Sequence, residues 1–285
     1  MRNINTDNIT QVVLSSFDRH PDARQRQLIQ GLVEHLHAYV KEVKLTHPEW
    51  RAALAFLHRV GDISSDSRSE FSLLSDVTGI SSLVDLLGSD PQATPGSVLG
   101  PFHTVGSPWF DNPAQLKGHN EGVTMVLRGR VVDLHGNPLS HATVDFWQNA
   151  ANGMYWQMDP SQPSDNLRCQ MKVDANGCFD IVTLQPVPYQ IPTDGPVWHD
   201  LVHPSERSSW RPAHFHLIVS APACKTLVTE LFDEQDPYLQ SDAVFGVREP
   251  LVGHCETLSD SATLRALRLS APCLQIKFEI CLAAA

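Results

Sequence analysis

No apolar run in the 285 residues approaches the roughly 20 that a membrane span needs. The N-terminal segment MRNINTDNITQ has neither the basic start nor the apolar stretch of a signal peptide, so a cytoplasmic location is expected. Basic residues are few: 21 Lys and Arg stand against 32 Asp and Glu, a net charge of −11 with no local basic cluster. That balance argues against a nucleic-acid partner. CxxC spacing is missing among the six cysteines (169, 178, 224, 255, 273 and 281), which read as free thiols rather than a disulfide framework. There is no internal repeat and no low-complexity tract. What remains is the composition of an ordinary globular protein, 42% hydrophobic and 19% charged.

Two periodicities divide the chain. Leu28, Ile29, Leu32, Val33, Leu36, Val40 and Val43 recur at three- and four-residue spacing, which predicts a helix. Thr46 followed by Pro48 reads as the start of a second, with Trp50, Leu54, Leu57 and Val60 on one face. A third carries Phe71, Leu74 and Val77 and ends at Gly79. From about residue 120 apolar residues alternate instead. Val123 to Val131, Ala142 to Phe146, His214 to Val219, Leu227 to Phe232 and Leu274 to Leu282 read as strands. His135-Gly136-Asn137-Pro138 is a turn, and Asp174-Ala175-Asn176-Gly177 reads as a hairpin-like one. Helices first and strands later predict an α+β class: a helical region over 1–100, then an antiparallel β-sandwich over 101–285 that carries the candidate site. The Pro-, Gly- and Ser-rich stretch 89–112 is the expected connection.

Of the 14 histidines, spacing selects two. In RPAHFH, His214 and His216 lie two apart on an expected strand, so both side chains leave the same face and their nitrogens can converge on one ion. Alone the pair is weak. Pro212 fixes the approach to the strand, and Arg211 is an anion handle, with a structural salt bridge as the lesser alternative. Two tyrosines stand in unusual loops. Tyr155 follows a glycine in WQNAANGMYWQ, and Tyr189 lies between prolines in PVPYQIPTDGP. A tyrosine in such a loop often simply caps a core with its ring.

Taken in order, G-x-Y, Y-x-x-P and RPAHxH resemble the intradiol ring-cleavage dioxygenases, which split catechols between the two hydroxylated carbons. The resemblance runs through RSEFSLLSDVTGISSLVD, VLGPFHTVGSPW, GRVVDLHGNPL and DPYLQSDAVFGVR. Within the family the chain is most similar to the hydroxyquinol 1,2-dioxygenases of aromatic catabolism. The resemblance implies one Fe(III) per subunit held by Tyr155, Tyr189, His214 and His216, with no nicotinamide or flavin. It also implies that the substrate displaces Tyr189, which takes up a substrate proton, and that Arg211 stabilises carbanion character on the ring. By the same resemblance Leu73, Asp76, Val98, Leu99, Gly100, Pro101, Phe102, Arg211, Glu230 and Val244 line the substrate pocket. The implied reaction converts hydroxyquinol and O2 to maleylacetate; the alternative is a catechol or substituted-catechol 1,2-dioxygenase giving cis,cis-muconates. Asp76 favours the triol, because a carboxylate there accepts a hydrogen bond from the third hydroxyl unless it merely sits on its helix. Glu230 stands where catechol enzymes have a glutamine that works alongside the arginine, Trp156 where an aspartate is usual and Cys169 where an LRG segment has glycine, and they leave the substrate open. The helical region implies a homodimer, with room for a phospholipid, or else a cap over the strands. A rival from another class is a non-catalytic β-sandwich binding module on a helical platform, which would be colourless and iron-free.

Overall fold

The computed structural model describes residues 2–65 and 68–285, in two compact units, Met1–Arg59 and Val60–Ala285.

The first unit holds helices α1 (Ile9–Ser16) and α2 (Ala23–Val43) and most of α3 (His47–Ile63). α2 starts where Asp22 Oδ1 accepts from the Gln25 amide at 2.8 Å, and it stops at Lys44, which adopts a left-handed φ of 51°. α3 opens as expected at Thr46: Glu49 Oε2 reaches back to the Thr46 amide at 2.8 Å, one arm of a capping box. α1 has no side-chain cap at its start. Gln30 Nε2 ties it to α2 by donating to the Leu14 carbonyl at 3.0 Å. The α2 stripe is present but open, with Leu28, Leu32, Leu36 and Val40 between 41% and 61% exposed.

In the second unit α4 (Glu70–Val77) begins at Ser69, whose hydroxyl accepts from the Ser72 amide at 3.1 Å. Gly79, at φ 74°, turns the chain into α5 (Ile80–Gly88), bent 72° from α4. Among the described residues no single helix is long and apolar enough to cross a membrane. The strands are β1 (Ala114–Gln115), β2 (Thr124–Asp133), β3 (Thr143–Trp147), β4 (Arg168–Lys172), β5 (Cys178–Leu184), β6 (Tyr189–Gln190), β7 (Trp210–Arg211) and β8 (His214–Ser220). They continue with β9 (Leu227–Asp233), β10 (Val252–Gly253), β11 (Cys255–Leu258) and, after α6 (Ser261–Ala266), β12 (Cys273–Leu282).

One sheet has the order β1-β5-β2-β12-β11, another β10-β9-β8-β3-β4, and β6 pairs with β7. Both large sheets are mixed rather than antiparallel throughout. The final strand β12 returns to lie parallel to β2, and β1/β5 and β10/β9 are also parallel. Alternation of side chains specifies which face is buried but not the direction of a partner strand. The turn at 174–177 differs from the hairpin expectation for a related reason: β4 joins one sheet and β5 the other. Its local chemistry is nevertheless a tight turn, with the Gly177 amide donating to the Asp174 carbonyl at 3.0 Å.

The sheets share a core. Met125, Leu127, Phe179 and Ile181 come from one, and Phe146, Phe215, Leu217 and Leu231 from the other; none is more than 2% exposed. Each such side chain contributes roughly 1.5–3 kcal/mol by leaving water. On β8, Phe215, Leu217 and Val219 face this core, so period two turns His214 and His216 to the opposite face.

Candidate metal centre

That opposite face is assembled by register across three strands. Trp147 on β3 and Glu230 on β9 both pair with His216 on β8. The Trp147 ring lies parallel to the His216 imidazole, 4.8 Å away and inclined by 5°. The two imidazoles stand edge to face, with their Nε2 atoms 3.1 Å apart. His214 Nδ1 lies 2.7 Å from the Pro212 carbonyl. An oxygen there accepts only from N–H, so Nδ1 carries the proton and Nε2 presents a lone pair to the centre.

Two loops bring the tyrosines. Gly153, at φ 79°, tightens the turn after β3, and Met154 is held by its amide donating to Asn152 Oδ1 at 3.0 Å. Tyr155 follows, 2% exposed, with a hydroxyl that has no hydrogen-bond partner. Phe102 stacks on its ring at 4.3 Å, and Gln157 secures that cover by donating to the Phe102 carbonyl at 2.6 Å. Tyr189 opens β6, where its partner in register is Arg211 on β7. Its ring lies 5.7 Å from Tyr155 and 5.6 Å from His214. The structure thus brings Tyr155, Tyr189, His214 and His216 together around one point.

Beneath them lies a buried charged cluster. Arg211 places Nη1 2.8 Å from Glu230 Oε1 and Nε 3.1 Å from Asp242 Oδ1, and all three residues are at most 8% exposed. Arg211 Nη1 is also 3.3 Å from His214 Nε2. The Ser97 hydroxyl sits 2.6 Å from Glu230 Oε2 and 2.7 Å from the Gly246 carbonyl, with one proton to serve both. A Cβ on Gly246 would come within 2.6 Å of Glu230 Oε2 and 2.8 Å of Arg211 Nη2, so a side chain there would have to push this charged cluster aside. Phe245, beside it, holds a φ of 58° that a bulky side chain rarely adopts; Ser82 fixes its carbonyl at 2.8 Å.

Burial dominates the protonation states. It pushes His214 down to about 4, reinforced by the Arg211 charge, and His216 well below its ordinary value, reinforced by His214. It pushes the Tyr155 and Tyr189 phenols up. Burial is the largest influence on Glu230 and would raise it, but the Arg211 charge, His214, His216 and the Arg211 hydrogen bond together outweigh it and hold the carboxyl below the usual carboxylate range. The imidazoles therefore offer lone pairs at neutral pH, while the phenols lose their protons only to a strongly acidic cation. With an unpartnered Tyr155 hydroxyl aimed among them, the four residues fit a metal ion. His214, His216 and Glu230 also bring ligand-type atoms within 4.8 Å of one another. Glu230 is a poor third ligand, because Arg211 Nη2 donates to its Oε2 at 3.0 Å and the guanidinium charge lies against it.

Of the expected pocket residues, Leu73, Pro101 and Phe102 line a cavity of about 530 Å³ with Glu70, Gln190 and Ile191. Asp76 is 7% exposed and raised by burial, against the Ser81 hydroxyl that lowers it. Gly100, at φ 71°, lies over His216: its Cβ would stand 3.2 Å from Cε1. Val98 and Val244 are buried, and Leu99 is 41% exposed. Sequence reasoning passed over Trp147, Ser97, Asp242 and Gly246. Asp242 and Gly246 carried a visible signal, both lying inside DPYLQSDAVFGVR.

Known proteins agree with this geometry. A family model described as "Dioxygenase" matches residues 99–284, and one described as "Catechol dioxygenase N terminus" matches 22–95. A 6-chlorohydroxyquinol 1,2-dioxygenase of Cupriavidus pinatubonensis is 38% identical over 89% of this chain and 92% of its own. A hydroxyquinol 1,2-dioxygenase of Rhodococcus opacus is 40% identical over 84% and 80%. The crystal structure of hydroxyquinol 1,2-dioxygenase from Pseudomonas putida superposes with a TM-score of 0.88 at 40% identity, covering 98% of this chain and 99% of that one.

Proposed function

The chain belongs to the intradiol ring-cleavage dioxygenases, and from that premise we propose that it is an Fe(III) enzyme cleaving hydroxyquinol with O2 to maleylacetate. The carrying observation is the convergence of Tyr155, Tyr189, His214 and His216, two of them kept neutral by burial and two of them phenols whose protons only a cation would remove. The family is iron-dependent, and the proposal is one ferric ion per subunit on these four side chains. That ion would supply the Lewis acidity that binds and ionises a catecholic substrate.

The chain's own residues do the rest. Tyr189 is the displaceable ligand: its Oη takes a substrate proton as it leaves the centre, a general-base step. Tyr155 stays, pinned by Phe102. Arg211, held on two sides by carboxylates, points a fixed guanidinium at the ring as charge develops there. Asp76 pairs with the third hydroxyl, and Leu73, Val98, Leu99, Gly100, Pro101, Phe102 and Val244 shape the pocket around it. The two sheets around one core support reading residues 101–285 as a catalytic β-sandwich. Residues 1–100 form the dimerisation and linker region of a homodimer. The exposed Leu28, Leu32 and Leu36 support that role, and a cavity of about 470 Å³ near Ile9, Val40, Leu45 and Trp50 supports a bound phospholipid. We place the enzyme in the cytoplasm.

Oxygen uptake with hydroxyquinol, catechol, 4-chlorocatechol and pyrogallol, with product identification, tests the substrate. Maleylacetate from hydroxyquinol as the preferred reaction is expected. Catechol turned over far better, giving cis,cis-muconate, would sink the use of Asp76 and leave the catechol enzyme. Purified protein should be red from ferric tyrosinate; colourless protein free of iron ends the enzyme reading.

A further inference from the structure

His216 Nδ1 and Glu230 Oε1 are both buried without a hydrogen-bond partner, and they lie 3.5 Å apart. Once His216 Nε2 faces the centre, Nδ1 must carry the proton and needs an acceptor. Arg211 Nη1 approaches Oε1 to 2.8 Å as an ion pair but is not aligned as a hydrogen bond, so Oε1 keeps a lone pair for His216. The other oxygen, Oε2, accepts from Arg211 Nη2 at 3.0 Å and lies 2.6 Å from the Ser97 hydroxyl. Both oxygens of this carboxylate therefore meet donors, while His214 Nε2, turned to the centre, lies 3.4 Å from the same Oε1. An amide of the same shape would turn its NH2 group against Arg211 in either orientation, and in one of them against His216 as well.

We propose that Glu230 is a positioning residue that joins Arg211 and His216 into one rigid frame, its charge setting both the aim of the guanidinium and the donor strength of an iron-facing imidazole. Trp147 holds the flat face of the same imidazole, so ring plane and ring rotation are fixed by neighbours on two adjoining strands. Carboxylates behind metal-bound histidines fix tautomer and orientation, and their loss typically costs about 10–100-fold in metal affinity. The backbone accommodates the arrangement: any side chain at Gly246 would strike both Glu230 and Arg211.

This inference rests on the iron reading above. The test is iron-loaded Glu230→Gln beside wild type, with Glu230→Asp as the conservative variant. The readouts are iron transfer to a ferric chelator, the visible absorption maximum, kcat and KM separately, and thermal melting. Glu230→Gln should bind iron about 10–100-fold more weakly. Its absorption should move to longer wavelength as the centre becomes more positive, and kcat should change more than KM. Glu230→Asp should restore part of each at wild-type melting. Iron transfer within twofold of wild type and an unmoved absorption overturn the proposal. If Glu230→Gln does not fold, Glu230→Asp decides: affinity reduced threefold or more upholds it, unchanged affinity overturns it. Wild-type protein that takes up no iron ends the function and this inference together; loaded wild type with an indifferent variant ends the inference alone.

Discussion

The two halves of the centre are built differently. The histidine half stands on β8, a regular strand clamped between β3 and β9, and its spacing follows from the pleat. The tyrosine half hangs from two loops, each placed by local devices: Gly153 and Asn152 before Tyr155, and two prolines and the short β6/β7 pair around Tyr189. Strand-borne groups cannot leave without breaking a sheet, whereas a loop-borne group can swing. The proposed function needs both, a fixed pair of neutral donors and an anionic ligand able to depart.

The sharpest way to break this comparison is to remove one member of the fixed half. His216→Ala should lose iron and visible colour, and kcat/KM should fall by about 10³-fold or more, since the Lewis acid contributes several kcal/mol. Metal analysis with oxygen uptake checks it, and retained iron would mean that the donors are wrongly assigned. Within the loop half the two tyrosines should then separate. Tyr189→Phe should keep its iron, shift in colour and slow by about 10²-fold, the usual weight of a lost general base. Tyr155→Phe should instead release iron. Unchanged turnover in Tyr189→Phe removes its role.

The same contrast explains how much was legible beforehand. His214 and His216 could be paired because period two acts within one strand. The tyrosines needed the whole ordered set of motifs, because nothing local says where a loop will end. Glu230 was visible only as a departure from the family, for its position opposite His216 depends on β8/β9 register. Trp147 lies opposite the same histidine from a strand about 70 residues away in sequence, beyond any spacing rule. Helix α5 escaped because it starts at a left-handed glycine without a side-chain cap, and parallel β2/β12 pairing joins the two ends of the second unit's strand-bearing part. Fold class was readable; strand direction was not.

Acid and alkali should attack opposite halves of the iron-free protein. His214 titrates at about 4 when folded, because burial and then Arg211 oppose its charge. Unfolded, it titrates near the ordinary value of about 6.5. Between those limits the unfolded chain binds more protons, so stability is present above about pH 6.5 and falls as the pH drops, by about 3 kcal/mol for His214 alone, and the depressed His216 adds a loss of the same sign. The phenols behave inversely. Tyr155 and Tyr189 are raised by burial, so the folded chain holds their protons longer and stability falls as the pH rises past about 10. Denaturant melts of iron-free protein from pH 4 to 11 check both limbs. Replacing His214 by glutamine should remove its share of the acid limb, leave the part that His216 contributes and spare the alkaline limb; an unchanged acid limb would show that the burial of His214 is not what titrates.

The smallest expected effect separates the halves most cleanly. Gly100 and Gly153 both have left-handed φ, 71° and 79°, so alanine at either costs about 1–2 kcal/mol in backbone strain and lowers Tm by about 2–4 °C. Their surroundings differ. The new Cβ at 153 would rest 3.6 Å from Tyr189 Cβ, an ordinary contact on a loop that can yield. At 100 it would press to 3.2 Å on His216 Cε1, and that ring cannot retreat because Trp147 is stacked parallel to it at 4.8 Å. Equal losses of Tm should therefore accompany unequal losses of iron, with Gly100→Ala releasing metal to a chelator several-fold faster than Gly153→Ala. Equal release from the two variants would mean that the strand-borne histidine yields as readily as the loop-borne tyrosine, and the division between a fixed and a mobile half would not hold.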